Sequence, residues 1–499
     1  MKCKKFLAVI AACALIIASL AGFAGCKKSE DVITLRVCSW EEYIDLGGWD
    51  EAIELESGKT IKGEKSMVDD FTEEFNKTHD YKVKVEYSTF GTNEDLYNRL
   101  SLGDEYDLVC PSDYMLMKLI DENRVEEFSA EFLNKENAEN YYINCVSPYI
   151  ANVFDDYKWS NLAACYMWGT TGLVYNPKKV DDISDVSTWK ILTNEKYKRQ
   201  VTVKDNVRDA YFATLGIINS ENLTSPDFNG DLTELLNDVS TPTIRQAEDV
   251  LKQIKDNVYS FETDAGKSDM VTGKVIANYQ WSGDAVYIMD QADEDNTELW
   301  YSVPDECANL WFDGWVMLKS GIEGNEQRKT AAEAFINYLS RPESAVRNMY
   351  YIGYTSAIAG EEVFEYMQWN YAADEDAKKT FEYDLSYFFG GEHKIIADSA
   401  EFGFDDENIN RGRQLFAQYP SASVIERSVV MRDFGDKLSE INQMWINVRC
   451  LDLKDISPVT IGVTCAVVGV IIIAVLLYVF RYKLFINYKL KEGYVKVEN

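Results

Sequence analysis

Tyr106-Asp107-Leu108-Val109-Cys110-Pro111-Ser112 is a short apolar run closed by a proline. It reads as a buried strand with a sharp end, because proline removes a ladder donor and stops the pairing. Working outward, residues 93–102 have the spacing of a helix that starts near Asn93 as its cap, and residues 82–87 alternate as a strand. Residues 67–79 return to helical spacing, and residues 33–39 alternate again. Strands separated by helices in this order predict a mostly parallel sheet with helices on both faces, an α/β fold. Ligands of such sheets gather beyond the carboxyl ends of the strands. Two such ends are visible, one running from Trp40 to Tyr43 and one from Ser112 to Tyr114. Residues 45–65, rich in glycine, glutamate and lysine, read as an inserted surface loop or short helix.

Far downstream, Asn278-Tyr279-Gln280-Trp281-Ser282-Gly283-Asp284 and Leu310-Trp311-Phe312-Asp313-Gly314-Trp315 each set an indole close to a carboxylate. Ser39-Trp40-Glu41-Glu42-Tyr43 repeats the theme at the first strand end. The combination suits an organic cation: the ring face attracts the charge and covers the methylenes, while the carboxylate accepts the N–H donors. A single tryptophan of this kind usually fills a core. Recurrence in three clusters favours a slot for alkyl ammonium ions.

Composition narrows the function classes. The 499 residues, 46% of them hydrophobic and 27% charged, suffice for cores in two or three domains. Against 50 lysines and arginines stand 83 acids, a net charge of −33, which repels nucleic acid and draws small cations by steering. His79 and His393 are the only histidines, so a histidine-centred triad or a multi-histidine zinc site lacks material, and both are expected at the surface. Cys38, Cys110, Cys145, Cys165, Cys307 and Cys450 show no CxxC or other metal spacing; no metal is expected, and disulfides are permitted without being required. No ATP-binding glycine loop, nucleophile motif or metal cluster is present, so neither an enzyme nor a cofactor is implied; a hydrolase built on paired carboxylates is the weaker alternative.

Both termini read as membrane signals. Lys2, Lys4 and Lys5 precede an apolar run over residues 6–20, and Phe23-Ala24-Gly25-Cys26 closes it, the pattern of a secretory signal. It resembles the bacterial lipoprotein signal over residues 1–26, in which Cys26 would be acylated. Residues 459–480 hold no charge and predict a transmembrane helix. Arg481, Lys483, Lys489, Lys491 and Lys496 against Glu492 and Glu498 then predict a basic cytoplasmic tail over 481–499, with the main domain outside the cell membrane.

Several ordered motifs resemble the polyamine-binding proteins of spermidine/putrescine ABC transporters. They are Ser39-Trp40-Glu41-Glu42-Tyr43, Tyr106 to Ser112, Tyr166-Met167-Trp168-Gly169-Thr170-Thr171-Gly172-Leu173, Trp281-Ser282-Gly283-Asp284, Trp311-Phe312-Asp313 and Ile352-Gly353-Tyr354. The resemblance implies a two-lobed, periplasmic-binding-protein-like (type II) fold with a hinge, preceding the expected transmembrane helix. Its lobes would take residues 31–165 and 308–450 for the first, with an added helical region over 361–420, and 166–307 for the second. It implies a polyamine ligand, putrescine or spermidine, passed to an ABC permease and its ATPase. By position Trp40, Tyr43, Trp281, Trp311 and Tyr354 would form aromatic walls; Glu42, Asp284 and Asp313 would neutralise ammonium groups; and Ser112, with Tyr114 near it, would supply hydrogen bonds. Asp205-Asn206-Val207-Arg208-Asp209 is similar to a segment carrying an acid followed three residues later by another; here Asn206 replaces the first and Asp209 stands as the second. That loss points away from a three-nitrogen ligand, and the acid at Asp284 resembles putrescine-type sites. Arg208 is expected to pair with a neighbouring acid. A binding protein for another small solute, or an extracellular sensor, would share the cleft, but the tail after residue 480 is too short for a signalling domain.

Overall fold

Alternation along Val32–Trp40 has the expected consequence. In this computed structural model the strand pairs in parallel with Lys82–Phe90 over its whole length, from Val32 opposite Lys82 to Trp40 opposite Phe90. On its other edge Val37 and Cys38 pair in parallel with Leu108 and Val109. The structure describes residues 32–399, 410–450 and 466–481. Met67–Thr78 and Asn93–Leu102 are the connecting helices, and Met67, Phe71 and Phe75 of the first are buried at helical spacing. Ser66 caps the first helix by accepting from the Asp69 amide, and Thr92 caps the second by accepting from the Asp95 amide. Thr92, not Asn93, is therefore the cap. The Asn93 side chain instead accepts from the Ser112 amide at 3.1 Å and donates to the Tyr114 hydroxyl at 2.9 Å.

Two strands, Ala164–Tyr175 and Ala308–Leu318, are buried at every position, which is why no alternation marks them in the sequence. They run antiparallel from Leu310 opposite Thr170 to Trp315 opposite Ala164. Beyond that overlap they part. Thr171 to Tyr175 pair with Trp281 to Ala277, whereas Val316 and Met317 pair with Val109 and Leu108. The main path through the sheet is Lys82–Phe90, Val32–Trp40, Leu108–Val109, Ala308–Leu318, Ala164–Tyr175, Ala277–Trp281, Val201–Lys204 and Ser260–Glu262. The two long strands thus cross between two sheet regions, each with its own packing. Leu35, Phe71, Leu116 and Phe335 belong to one core, and Val174, Val286, Ile288 and Tyr301 to another. This is the two-lobed α/β arrangement with crossing strands at its hinge.

Two inserted segments differ from expectation. Residues 45–65 form an antiparallel hairpin of Trp49–Glu54 with Thr60–Gly63, tied down where Arg347 pairs with Asp45 and donates to the Lys65 carbonyl. Residues 361–420 contain the helix Glu361–Tyr371 but also a hairpin of Thr380–Asp384 with Lys394–Asp398, so the region is not simply helical. Cys38, Cys110, Cys145, Cys165 and Cys307 are free thiols.

A second unit begins at Ser439. Ile441, Met444 and Val448 are the buried face of the helix Leu438–Arg449, and a further helical stretch covers 466–481. The transmembrane helix expected over 459–480 is overturned: among the described residues no helix is long and apolar enough to cross a membrane. The basic tail beyond residue 481 and the signal segment with Cys26 lie outside the described residues.

Candidate ligand-binding site

Trp311 and Asp313 sit two apart on the crossing strand Ala308–Leu318, and so project to the same face. Register slips between Asp313, opposite Met167, and Gly314, opposite Cys165, and Asp313 also bridges Ser112. Bulges of this kind re-aim a side chain at the rim of a sheet. The Tyr43 hydroxyl donates to Asp313 Oδ2 at 2.6 Å. Asp313 Oδ1 is buried with no hydrogen-bond partner, and no lysine or arginine among the described residues pairs with this carboxylate. Burial pushes its pKa up to about 6, with the Tyr43 and Ser112 hydroxyls holding it lower than burial alone would.

Aromatic rings surround that carboxylate. The Tyr43 ring meets Tyr354 edge-on with centroids 5.0 Å apart, and Trp311 also meets Tyr354, at 5.8 Å. Tyr354 follows the helix Pro342–Ile352, which ends on Gly353 in the left-handed region, φ +75°. Its hydroxyl donates to Asp284 Oδ1 at 2.9 Å. The contact is close because residue 283 is glycine: a Cβ there would run into the Tyr354 ring. Asp284 lies in the first turn of the helix Ser282–Glu294, where the helix dipole favours an anion. Tyr43, Asp313, Trp311, Tyr354 and Asp284, scattered over the sequence, form one connected wall.

The structure adds cations that the sequence reading did not single out. Lys204, the last residue of the strand Val201–Lys204, reaches Asp284 Oδ2 at 3.4 Å and lies 4.0 Å from the Trp281 ring centroid. It also donates to the Thr263 carbonyl at 2.9 Å. Lys267 reaches the other Asp284 oxygen at 3.3 Å. Asp209 is buried beside them on the helix Val207–Ile218; burial raises its carboxyl to about 6, opposed first by Lys204 and then by Trp281. Asn206, read as a lost carboxylate, is the cap of that helix and accepts from the amides of Arg208 and Asp209. Arg208, expected to pair with an acid, instead stacks its guanidinium 4.2 Å over Tyr114 and 3.6 Å over Phe434. No sequence signal marked Lys204, since a lysine at a strand end is ordinarily solvated.

Three sequence-predicted residues stand somewhat apart. Trp40 packs on Phe90 at 4.6 Å, half-buried, with its indole N–H buried and unpartnered. Glu42 is exposed, in the left-handed region at φ 52°, and its charge acts on Lys267. Tyr114 is buried under Arg208, and its hydroxyl is shared with Asn93 and Glu94. Next to it Asp113, unremarked in the sequence, accepts from the Phe312 and Tyr114 amides, and burial drives its carboxyl up to about 8. Among the described residues no group of histidines, cysteines and acids is arranged to hold a metal ion.

Known proteins share this architecture. The chain is 27% identical over 330 residues to the spermidine/putrescine-binding periplasmic protein of Escherichia coli (strain K12), covering 65% of this chain and 78% of that protein. It is 26% identical over 338 residues to the putrescine-binding periplasmic protein SpuD of Pseudomonas aeruginosa (strain UCBPP-PA14), covering 66% and 80%. The solved spermidine/putrescine ABC transporter substrate-binding protein PotD of Streptococcus pneumoniae superposes with a TM-score of 0.54 at 22% identity over 83% of this chain and 98% of that one. The TpPotD lipoprotein of Treponema pallidum does so with a TM-score of 0.54 at 16% identity, over 84% and 99%. These two likenesses speak for the fold. Residues 68–375 match the family described as bacterial extracellular solute-binding protein, and the chain belongs to that family.

Proposed function

We propose that this protein is the extracytoplasmic binding subunit of an ABC importer, and that it captures a polyamine, putrescine or spermidine, between its lobes. The observation that carries the reading is Asp313: a buried carboxylate with one unpartnered oxygen, bounded by Tyr43, Trp311 and Tyr354. An ammonium group supplies the missing donors there and meets aromatic faces with its methylenes. The relatives named for spermidine and putrescine support the same ligand class. Capture followed by release to a permease needs no chemical step, and a solute-binding family is a transport family. Anchoring through an acylated Cys26 belongs to this reading, supported by the signal pattern before it. Isothermal titration calorimetry of the purified chain tests the ligand: putrescine or spermidine should bind, more weakly as salt is added, while heat with sugars or oligopeptides alone would overturn the proposal. Incorporation of labelled fatty acid into the wild type but not Cys26→Ala tests the anchor.

A further inference from the structure

We infer that Lys204 is a resident stand-in for a ligand ammonium group, and that it restricts the site to ligands with two cationic nitrogens. This rests on the polyamine reading above and goes further, to ligand length and charge. The surroundings of the Lys204 ammonium are those an alkyl ammonium ligand seeks: an indole face at 4.0 Å, a carboxylate oxygen at 3.4 Å and a carbonyl oxygen at 2.9 Å. The place is sealed, the Lys204 side chain being 1% exposed. Asp284 is saturated from every direction, by Lys204, by Lys267 and by the Tyr354 hydroxyl. Asp313, at the other end of the aromatic wall, has an oxygen with no partner and no cation beside it.

Charge accounting agrees with the placement. Asp209, Asp284 and Asp313 are the buried acids of the wall and Lys204 its buried ammonium, which leaves two negative charges. The neighbouring cations serve other acids as well: Lys267 is shared between Asp284 and the exposed Asp264, and Arg208 lies in the field of Asp433, Glu94 and Asp113, its effect on Asp209 coming after those of burial, Lys204 and Trp281. A diamine dication neutralises the remainder, whereas a triamine brings one charge too many and sets its third ammonium against Lys204. Like charges brought together in a desolvated site are strongly rejected, so the lysine acts on specificity more than on affinity.

Titration calorimetry of the full chain with putrescine and spermidine, in the wild type, Lys204→Met and Lys204→Arg, tests this. The wild type should bind putrescine more tightly than spermidine. Lys204→Met, which keeps the length of the side chain and removes its charge, should move the ratio of the two affinities toward spermidine by about tenfold or more, while Lys204→Arg should leave the ratio on the putrescine side. An unchanged ratio in Lys204→Met overturns the inference. Tighter wild-type binding of spermidine than of putrescine also overturns it, whether or not the variants fold, and leaves the polyamine reading standing. Binding of neither amine by the wild type overturns both.

Discussion

Asp313 is held in two opposed states by its surroundings. Burial disfavours its charge and lifts its pKa from an unfolded value of about 3.9 to about 6, yet a cationic ligand requires the charged form. The folded chain therefore binds the proton that the unfolded chain has released between these values, so this group makes the empty protein more stable as pH falls from 7 to 5, by about 1 kcal/mol. Ligand binding runs the other way. Affinity for putrescine should fall as pH drops through about 6, approaching tenfold per unit, because the ammonium must displace the proton on Asp313. Calorimetry over pH 5 to 8, paired with thermal melts of the empty protein, should show these opposite slopes. Asp313→Asn should remove much of both, and at pH 7 should weaken binding by about 2–4 kcal/mol, roughly 30- to 1000-fold. Asp209→Asn should lose less, because Lys204 already stands next to Asp209. Lys204 itself could not be read from the sequence as part of a cation site. A lysine is normally a solvated surface residue, and only the packing of its ammonium on Trp281 reveals otherwise.

At the scale of elements, the site depends on how closely the start of one helix can approach the end of another. Gly283 opens the helix Ser282–Glu294 with no Cβ, and the Tyr354 ring occupies the space a methyl group would need. Gly283→Ala should therefore displace Tyr354, break its bond to Asp284 and lower stability by about 1–3 kcal/mol. Tyr354→Phe, which removes only the hydroxyl, should lower the melting temperature less; thermal melts and putrescine titrations of the two variants separate the steric effect from the hydrogen bond. Legibility at this scale follows how each element is buried. Val32–Trp40 and Lys82–Phe90 could be read because they alternate, and Met67–Thr78 because Phe71 and Phe75 repeat at helical spacing. Ala164–Tyr175 and Ala308–Leu318 are buried throughout and carry no period, so their crossing came from motif resemblance and not from pattern. The hairpins at Trp49–Glu54 and Thr380–Asp384 were missed because their strands are largely charged and exposed. The span expected over 459–480 shows the converse error: among the described residues no helix is long and apolar enough to cross a membrane, so a run without charge does not by itself establish a span.

For the whole molecule, the net charge of −33 and the buried wall act at different stages of capture. The diffuse field of exposed acids concentrates cations near the surface, is screened over about 10 Å at 0.1 M salt, and so governs the rate of encounter. On the proposed reading, contacts with Asp313 and the rings beside it form only after water has left, where added salt screens much less. Stopped-flow measurements on putrescine should then show an association rate that falls steeply between low and physiological salt, with a dissociation rate that changes by less than about threefold. Exchanging a few exposed acids far from the wall for their amides should reduce the salt slope of association and leave dissociation where it was. A dissociation rate that rises with salt as steeply as association falls would place the ligand on the solvated surface, not against Asp313. That outcome would remove the connection between this fold, with its two crossing strands and enclosed carboxylates, and the capture of a cation.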